Sequence, residues 1–238
     1  MAPGVRAAFT GRRGGLSQPP YDSLNMGGGS GDHPDVVARN RALAAAACGL
    51  IPDRTVWMRQ VHGADVARVA APEQSQPLGG PRDASLTSVP GLALAVLSAD
   101  CPGVLIADPD AGVVGAAHCG REGMARGVVP ALVEAMTGAG ADPAGMHAVI
   151  GPAICGRCYE VPAAMRDDVE AKVPGSASLT RAGTPAIDLH AGIATQLAGL
   201  GVRNVQRDGR CTAEDEDLYS YRRDGRTGRF AGLIWLTR

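Results

Sequence analysis

Short apolar runs dominate the middle of the chain, and their lengths and spacing predict most of its elements. Residues 92–98, 104–107 and 113–117 read as strands, the last two joined by the turn-forming Asp108-Pro-Asp-Ala-Gly112. Upstream, 5–10 reads as a first strand, and 11–31 follows as a loop rich in Gly, Pro and Ser, long enough to suggest a functional segment. Asp32 is placed to cap a helix with Pro34 early in its first turn. The apolar positions Val36, Val37, Leu43, Ala44 and Ala47 then recur at helical spacing until Gly49. Residues 55–61 and 65–70 are strand-like, whereas 71–90, broken by Pro72, Pro77, Gly79, Gly80 and Pro81, reads as a surface excursion. Downstream, helical periodicity covers 124–136 and ends at Gly138, and 146–150 returns as a strand running into Gly151-Pro152. The pattern makes 161–173 and 189–200 helices and 202–207 and 230–236 strands. Strands and helices interleave without the regular alternation of a doubly wound sheet. The expectation is a mixed-sheet α/β or α+β fold, built as one domain over residues 1–238.

Composition narrows the function classes more than the fold. At 238 residues with 45% hydrophobic positions the chain can bury a substantial core. A net charge of −1 gives it no global attraction to nucleic acid or to an anionic membrane, so small molecules are the expected partners. The N-terminus lacks a basic start followed by an apolar core, and no stretch approaches the ~18 apolar residues of a membrane span. A cytoplasmic protein is expected. Six cysteines are sparse for this length, and a reducing compartment argues against a disulfide framework, which leaves ligand, nucleophile or small core residue as their roles.

Chemistry concentrates where the apolar runs stop. His62 follows the 55–61 run, Cys101 the 92–98 run, and His118 ends the 113–117 run. Two neutral imidazoles and one thiolate suit zinc, and three protein ligands leave the fourth tetrahedral position open for water or substrate. The spacing matches no compact ligand motif. The competing reading makes Cys101 a buried small hydrophobe and the histidines hydrogen-bonded core or rim residues. A metal-free variant pairs Cys101 as nucleophile with His62 or His118. Cys119 beside His118 faces the other side of a strand and reads as a packing cysteine. Cys155-Gly-Arg-Cys158 reads as a structural turn, with a secondary metal or an adventitious disulfide as the other readings. Gly27-Gly-Gly-Ser-Gly-Asp32 could cradle an anion but lacks a preceding strand and a P-loop lysine, which favours an ordinary loop. The aromatic and arginine-rich stretch 219–229 follows the acidic 214–217, and reads as a structural loop that brings Arg222 or Arg223 near a pocket. His33, His147 and His190 read as residues of helix starts and a strand.

Six segments occur in one order: Arg59-Gln-Val-His-Gly63, Ala99-Asp-Cys-Pro102, Ala116-Ala-His118, Ile150-Gly-Pro-Ala-Ile154, Cys158-Tyr-Glu-Val161 and Tyr219-Ser-Tyr-Arg-Arg-Asp-Gly225. Together they resemble the YfiH family, whose members are described as laccase-like multicopper polyphenol oxidases and as purine nucleoside phosphorylases. The resemblance runs from Phe9-Thr10 and Ser23-Leu-Asn25 to Thr227-Gly-Arg229. It implies a bacterial cytoplasmic enzyme holding zinc through His62, Cys101 and His118. The implied reactions are phosphorolysis of adenosine, inosine, guanosine and methylthioadenosine, and adenosine deamination. Hydrolytic removal of L-serine from a peptidoglycan precursor is the alternative chemistry. A non-catalytic, zinc-stabilised binding module is the alternative of another class. Copper is less expected than zinc, because the chain has only five histidines and no His-x-His pair. Asn25, Arg39, Asn40, Gln60, Arg121 and Arg223 are the candidate substrate contacts, with a purine nucleoside and phosphate as partners and a monomeric or weakly associating chain expected. One stretch departs from the family: its usual Ala-His-Ala-Gly-Trp-Arg-Gly is here Ala117-His-Cys-Gly-Arg-Glu-Gly123. Either Arg121 replaces the family's neighbouring arginine on phosphate, or Glu122 serves as a general base beside the metal.

Overall fold

The computed structural model of the chain describes residues 3–71 and 80–237. Its strands in chain order are β1 (Val5–Phe9), β2 (Thr55–Trp57), β3 (Val66–Arg68), β4 (Ala84–Thr87), β5 (Ala93–Ser98), β6 (Gly103–Asp108), β7 (Val113–His118), β8 (His147–Ile150), β9 (Ala177–Leu179), β10 (Pro185–Ile187), β11 (Asn204–Arg207) and β12 (Phe230–Leu236). The helices are α1 (Pro34–Ala47), α2 (Arg121–Ala125), α3 (Val128–Thr137), α4 (Ala163–Lys172), α5 (Leu189–Gly199) and α6 (Tyr221–Asp224). A four-stranded sheet has the order β1-β12-β5-β2 and a six-stranded sheet the order β11-β8-β6-β7-β4-β3, while β9 and β10 pair separately. Both large sheets are mixed, with β2 parallel to β5, β3 to β4 and β11 to β8.

Side-chain alternation along these strands explains the layering. Leu94 and Val96 of β5 and Ile234 and Leu236 of β12 share one buried cluster with Leu105, Ala107, Val114 and Ala116 of β6 and β7, so that cluster lies between the sheets. The intervening residues Ala93, Ala95, Ala231 and Leu233 turn to the opposite face and pack with Ala44 and Ala45 of α1. Beyond the six-stranded sheet, Val104, Ile106, Val113 and Ala117 meet Leu132, Val133 and Met136 of α3 and Ile193 and Leu197 of α5. The result is four layers: helix, sheet, sheet, helices. Because β5, β6 and β7 are covered on both faces, their apolar runs are continuous rather than alternating. The expected mixed-sheet α/β fold is the one observed.

Several expected elements differ in detail. Within 71–90, residues Ala84–Thr87 form β4, fully buried between β3 and β7; the expected excursion at 72–79 lies outside the described residues. The helical run over 124–136 is split into α2 and α3, because Gly127 takes the left-handed conformation at φ 81°. His33, rather than Asp32, caps α1 by accepting the Asp35 N–H, and Asp32 instead accepts from Ser17 Oγ at 2.6 Å and Asn25 Nδ2 at 3.0 Å. β2 stops at Trp57, short of the expected 61, and the chain beyond it turns towards the site. The short β9–β10 hairpin was not expected from its pattern. Among the described residues no helix is long and apolar enough to cross a membrane.

Candidate active site

His62, Cys101 and His118 come from three separate connections that meet where β5 ends, β6 begins and β7 ends. His118 is the last residue of β7 and pairs with Gly103, the first of β6. Cys101 lies on the turn between β5 and β6, and His62 on the segment after β2. One donor atom from each lies within 4.8 Å of the other two. The imidazole rings sit edge to face, their centroids 4.7 Å apart at 74°. Gly120 makes room for them, since a Cβ built there would stand 2.5 Å from Cys101 Sγ and 3.2 Å from His62 Cδ2.

Two buried carboxylates hold these loops in backbone conformations that non-glycine residues rarely adopt: φ is 61° at His62 and 90° at Asp100. Asp83, fully buried, accepts the N–H groups of Val61 and Gly63 on Oδ2 at 3.0 and 2.8 Å and the His62 N–H on Oδ1 at 2.9 Å. The same Oδ1 lies 2.9 Å from His118 Nδ1. One carboxylate therefore shapes the His62 loop and orients the His118 ring, which directs Nε2 at Cys101. Asp100, beside Cys101, accepts from Thr212 Oγ1 at 2.6 Å, Ser220 Oγ at 2.7 Å and the Arg222 N–H at 2.6 Å. That network ties the Cys101 turn to the 211–223 segment.

Electrostatics follow from this packing. Burial opposes ionisation of Asp83, but its hydrogen bonds with His118 and the Val61 and Gly63 amides prevail and hold it at about 2. Burial likewise disfavours charge on His118 and Cys101. Contact with Asp83 and Cys101 nonetheless raises His118 to about 9, and contact with His118 and His62 lowers Cys101 to about 6. The pair thus favours a thiolate beside a protonated imidazole, and a metal bound there would take the place of the His118 proton next to the thiolate. Cys119, by contrast, is buried in the core, where desolvation pushes its thiol up.

The trio forms part of the lining of a cavity of about 690 Å³. Arg59, Arg222 and Arg229 bring positive charge to its wall, and Tyr159 and Tyr221 bring aromatic surface. Arg222 stacks on Tyr159 at 5.1 Å and Arg229 on Tyr221 at 5.9 Å. Burial lowers the Arg229 pKa, opposed by the charges of Asp100 and Cys101.

Of the expected substrate contacts, Gln60 lines this cavity, with its amide bonded to both backbone groups of Leu97 at 2.8 and 2.9 Å. Asn25, Arg39, Asn40, Arg121 and Arg223 are outside the lining. Asn25 Oδ1 accepts the Gly27 and Arg229 N–H groups, so it shapes the wall from behind. Asn40 is fully buried and ties Leu16, Ser17, Ser23 and Asn25 to α1. Arg39 is exposed on α1. Arg121 pairs with Glu122 at 3.0 Å, and Glu122 also reaches Arg126 at 3.5 Å. Arg223 is engaged with the carbonyls of Thr212, Asp215 and Leu218. Sequence reasoning missed Asp83, Tyr159, Tyr221 and Arg229. The last three lay within the quoted family segments, while Asp83 sat in a stretch read as an excursion and carried no signal.

A family model described as multi-copper polyphenol oxidoreductase laccase matches residues 6–237. A purine nucleoside phosphorylase of Streptomyces coelicolor is 54% identical over 98% of this chain and 96% of that protein. Purine nucleoside phosphorylase YfiH of Escherichia coli is 40% identical over 98% and 94%. Among solved structures, YlmD from Geobacillus stearothermophilus superposes with a TM-score of 0.91 at 33% identity, covering 100% of this chain and 94% of that one. A Neisseria meningitidis protein gives 0.88 at 35% identity, covering 100% and 96%.

Proposed function

The chain belongs to the multi-copper polyphenol oxidoreductase laccase family, and we propose that it is a zinc-dependent purine nucleoside phosphorylase. The observation that carries this reading is the convergence of His62, Cys101 and His118 on one cavity that also holds arginines and tyrosines. The names of the relatives, purine nucleoside phosphorylases at up to 54% identity, support the substrate class.

The donor set fits zinc: a thiolate and two imidazoles, one oriented by a buried carboxylate through its far nitrogen. Bound there, zinc supplies Lewis-acid polarisation of a substrate oxygen. The remaining roles fall to the chain itself. Tyr159 and Tyr221 offer faces on which a purine can stack. Arg222 and Arg229 offer the positive groups that hold hydrogen phosphate and offset its charge as it attacks C1′ of the ribose. The C1′–N9 bond breaks as the C1′–O bond forms, and the proton carried in by phosphate leaves on the base, giving ribose 1-phosphate and free purine. With Arg222 and Arg229 on the cavity wall, the phosphate role does not depend on Arg121. Glu122, held between Arg121 and Arg126, is not needed as a base.

The test is release of purine base from adenosine, inosine, guanosine and methylthioadenosine with and without phosphate, with ammonia from adenosine and serine from a seryl peptidoglycan precursor measured in parallel. Phosphate-dependent base release that disappears in His118→Ala supports the proposal. Serine release without base release replaces it with the amidohydrolase. A zinc-loaded protein that turns over none of these substrates, and whose His118→Ala variant loses only melting temperature, is the binding module instead.

A further inference from the structure

A second group of metal-binding side chains stands outside the site just described. Cys155, Cys158, Cys211 and Glu214 each place one donor atom within 4.8 Å of the others. They come from two short turns of the same build. In the first, the N–H groups of Cys158 and Tyr159 close on the Cys155 carbonyl at 2.9 and 3.0 Å; in the second, those of Glu214 and Asp215 close on the Cys211 carbonyl at 3.0 and 2.8 Å. Each turn offers a donor at its first and fourth positions, the Cys-x-x-Cys arrangement with glutamate in the last place. A bridge between Ala153 and Cys211, with the Thr212 N–H on the Ala153 carbonyl at 3.0 Å, sets the turns face to face.

The contacts between the turns suit a cation. The Cys155 N–H points at Cys211 Sγ at 3.3 Å, and Cys158 Sγ donates to Glu214 Oε1 at 3.2 Å. Three thiolates and a carboxylate around a divalent ion leave a net charge of −2, and Arg181, paired with Glu214, and Arg157 act on that charge. A disulfide would use only two of the three sulfurs, and all six cysteines of the chain are free thiols.

We propose that Cys155, Cys158, Cys211 and Glu214 form a second metal site, a closed four-ligand zinc centre that staples the 153–160 segment to the 211–223 segment. Four protein donors make it structural rather than catalytic, in contrast to the open His62, Cys101 and His118 trio. Its position gives it a purpose. Tyr159, next to Cys158, lines the cavity, and Thr212, next to Cys211, holds Asp100 behind Cys101. The staple fixes both walls of the substrate cavity from outside. Loading it releases the thiol protons of the cysteines to solvent, and no redox step is involved.

The proposal does not depend on the reaction at the first site, and metal counting separates the two. Protein purified under reducing conditions without added metal is expected to carry two zinc ions per chain, His62→Ala/His118→Ala one, and Cys155→Ser/Cys211→Ser one. Cobalt(II) added to the zinc-stripped His62→Ala/His118→Ala protein is expected to give one tetrahedral centre with the charge-transfer intensity of three thiolates. Glu214→Gln, which removes one charged donor from an exposed position, is expected to pass zinc to a competing chelator at least about tenfold more readily than wild type, the least cost of losing even a group that only orients a ligand. The proposal is overturned if the His62→Ala/His118→Ala protein holds no metal, if the non-reduced wild-type mass is two hydrogens light, or if Glu214→Gln retains zinc as tightly as wild type.

Discussion

Replacing Asp83 with asparagine keeps the shape of the side chain and removes its ability to accept four hydrogen bonds. Oδ1 serves the His62 N–H and His118 Nδ1, and Oδ2 the Val61 and Gly63 N–H groups. Whichever way the amide turns, its NH2 faces two donors. If it faces His118, the imidazole relieves the clash by moving its proton to Nε2, which removes the lone pair that would face the metal. Hydrogen bonds to a charged group contribute about 1.5–3 kcal/mol each, and breaking a buried pair by removing one partner costs about 3–5 kcal/mol. We expect Asp83→Asn to lose about 3–5 kcal/mol, a fall in melting temperature of about 6–20 °C for a chain of this size. Loss of such an orienting partner weakens metal binding about 10- to 100-fold, or about 1.4–2.8 kcal/mol. Thermal unfolding and competition for zinc against a chromophoric chelator read the two effects separately. A variant that melts with wild type and holds zinc within about twofold of it refutes the role assigned to Asp83.

Gly120→Ala is expected to stay folded but to bind metal at least about tenfold more weakly, because its Cβ would stand 2.5 Å from Cys101 Sγ; the same chelator competition measures it. Arg229→Gln is expected to lower kcat/KM about 10- to 100-fold through loss of a charged hydrogen bond to phosphate, read from initial rates at varied phosphate. For Asp32, burial pushes the carboxyl up, but hydrogen bonds from Asn25, Ser17 and the His33 N–H outweigh it and hold it below its ordinary 3.8. A depressed folded value means that ionised Asp32 stabilises the fold above pH 3.8 and that this stability is lost as pH falls through the lower folded value. In denaturant titrations across pH, Asp32→Asn should therefore differ most from wild type near neutrality and converge with it in acid. A constant difference across the range is the opposing result.

The sequence revealed what burial writes into it. The 92–98, 104–107 and 113–117 runs were legible as strands because β5, β6 and β7 are apolar on both faces. Their ends pointed to Cys101 and His118 because a cysteine and a histidine at strand ends interrupt such runs. β4 was hidden because four residues, Ala84-Ser-Leu-Thr87, in a Pro-rich neighbourhood carry too little periodicity, and Asp83 was hidden with it. No local pattern could place the terminal strand β12 between β1 and β5, since sheet order depends on long-range pairing. Asn25 and Asn40 were expected as substrate contacts because the family resemblance places their region near the pocket; here their amides are consumed by backbone groups and by the side chains of Ser17, Ser30 and Asp32. Arg229, recognisable only as part of Thr227-Gly-Arg229, lines the cavity there together with Gly27, Gly29 and Ser30 of the Gly-rich loop.

The most direct measurement is turnover by metal-stripped protein reloaded with one metal at a time, using adenosine and phosphate as substrates and free adenine as the readout. Zinc chemistry at His62, Cys101 and His118 requires the stripped protein to be inactive, zinc to restore phosphate-dependent adenine release, and neither zinc nor copper to restore it in His118→Ala. Stripped protein that releases adenine at the wild-type rate, or a wild type restored by copper and not by zinc, would contradict it.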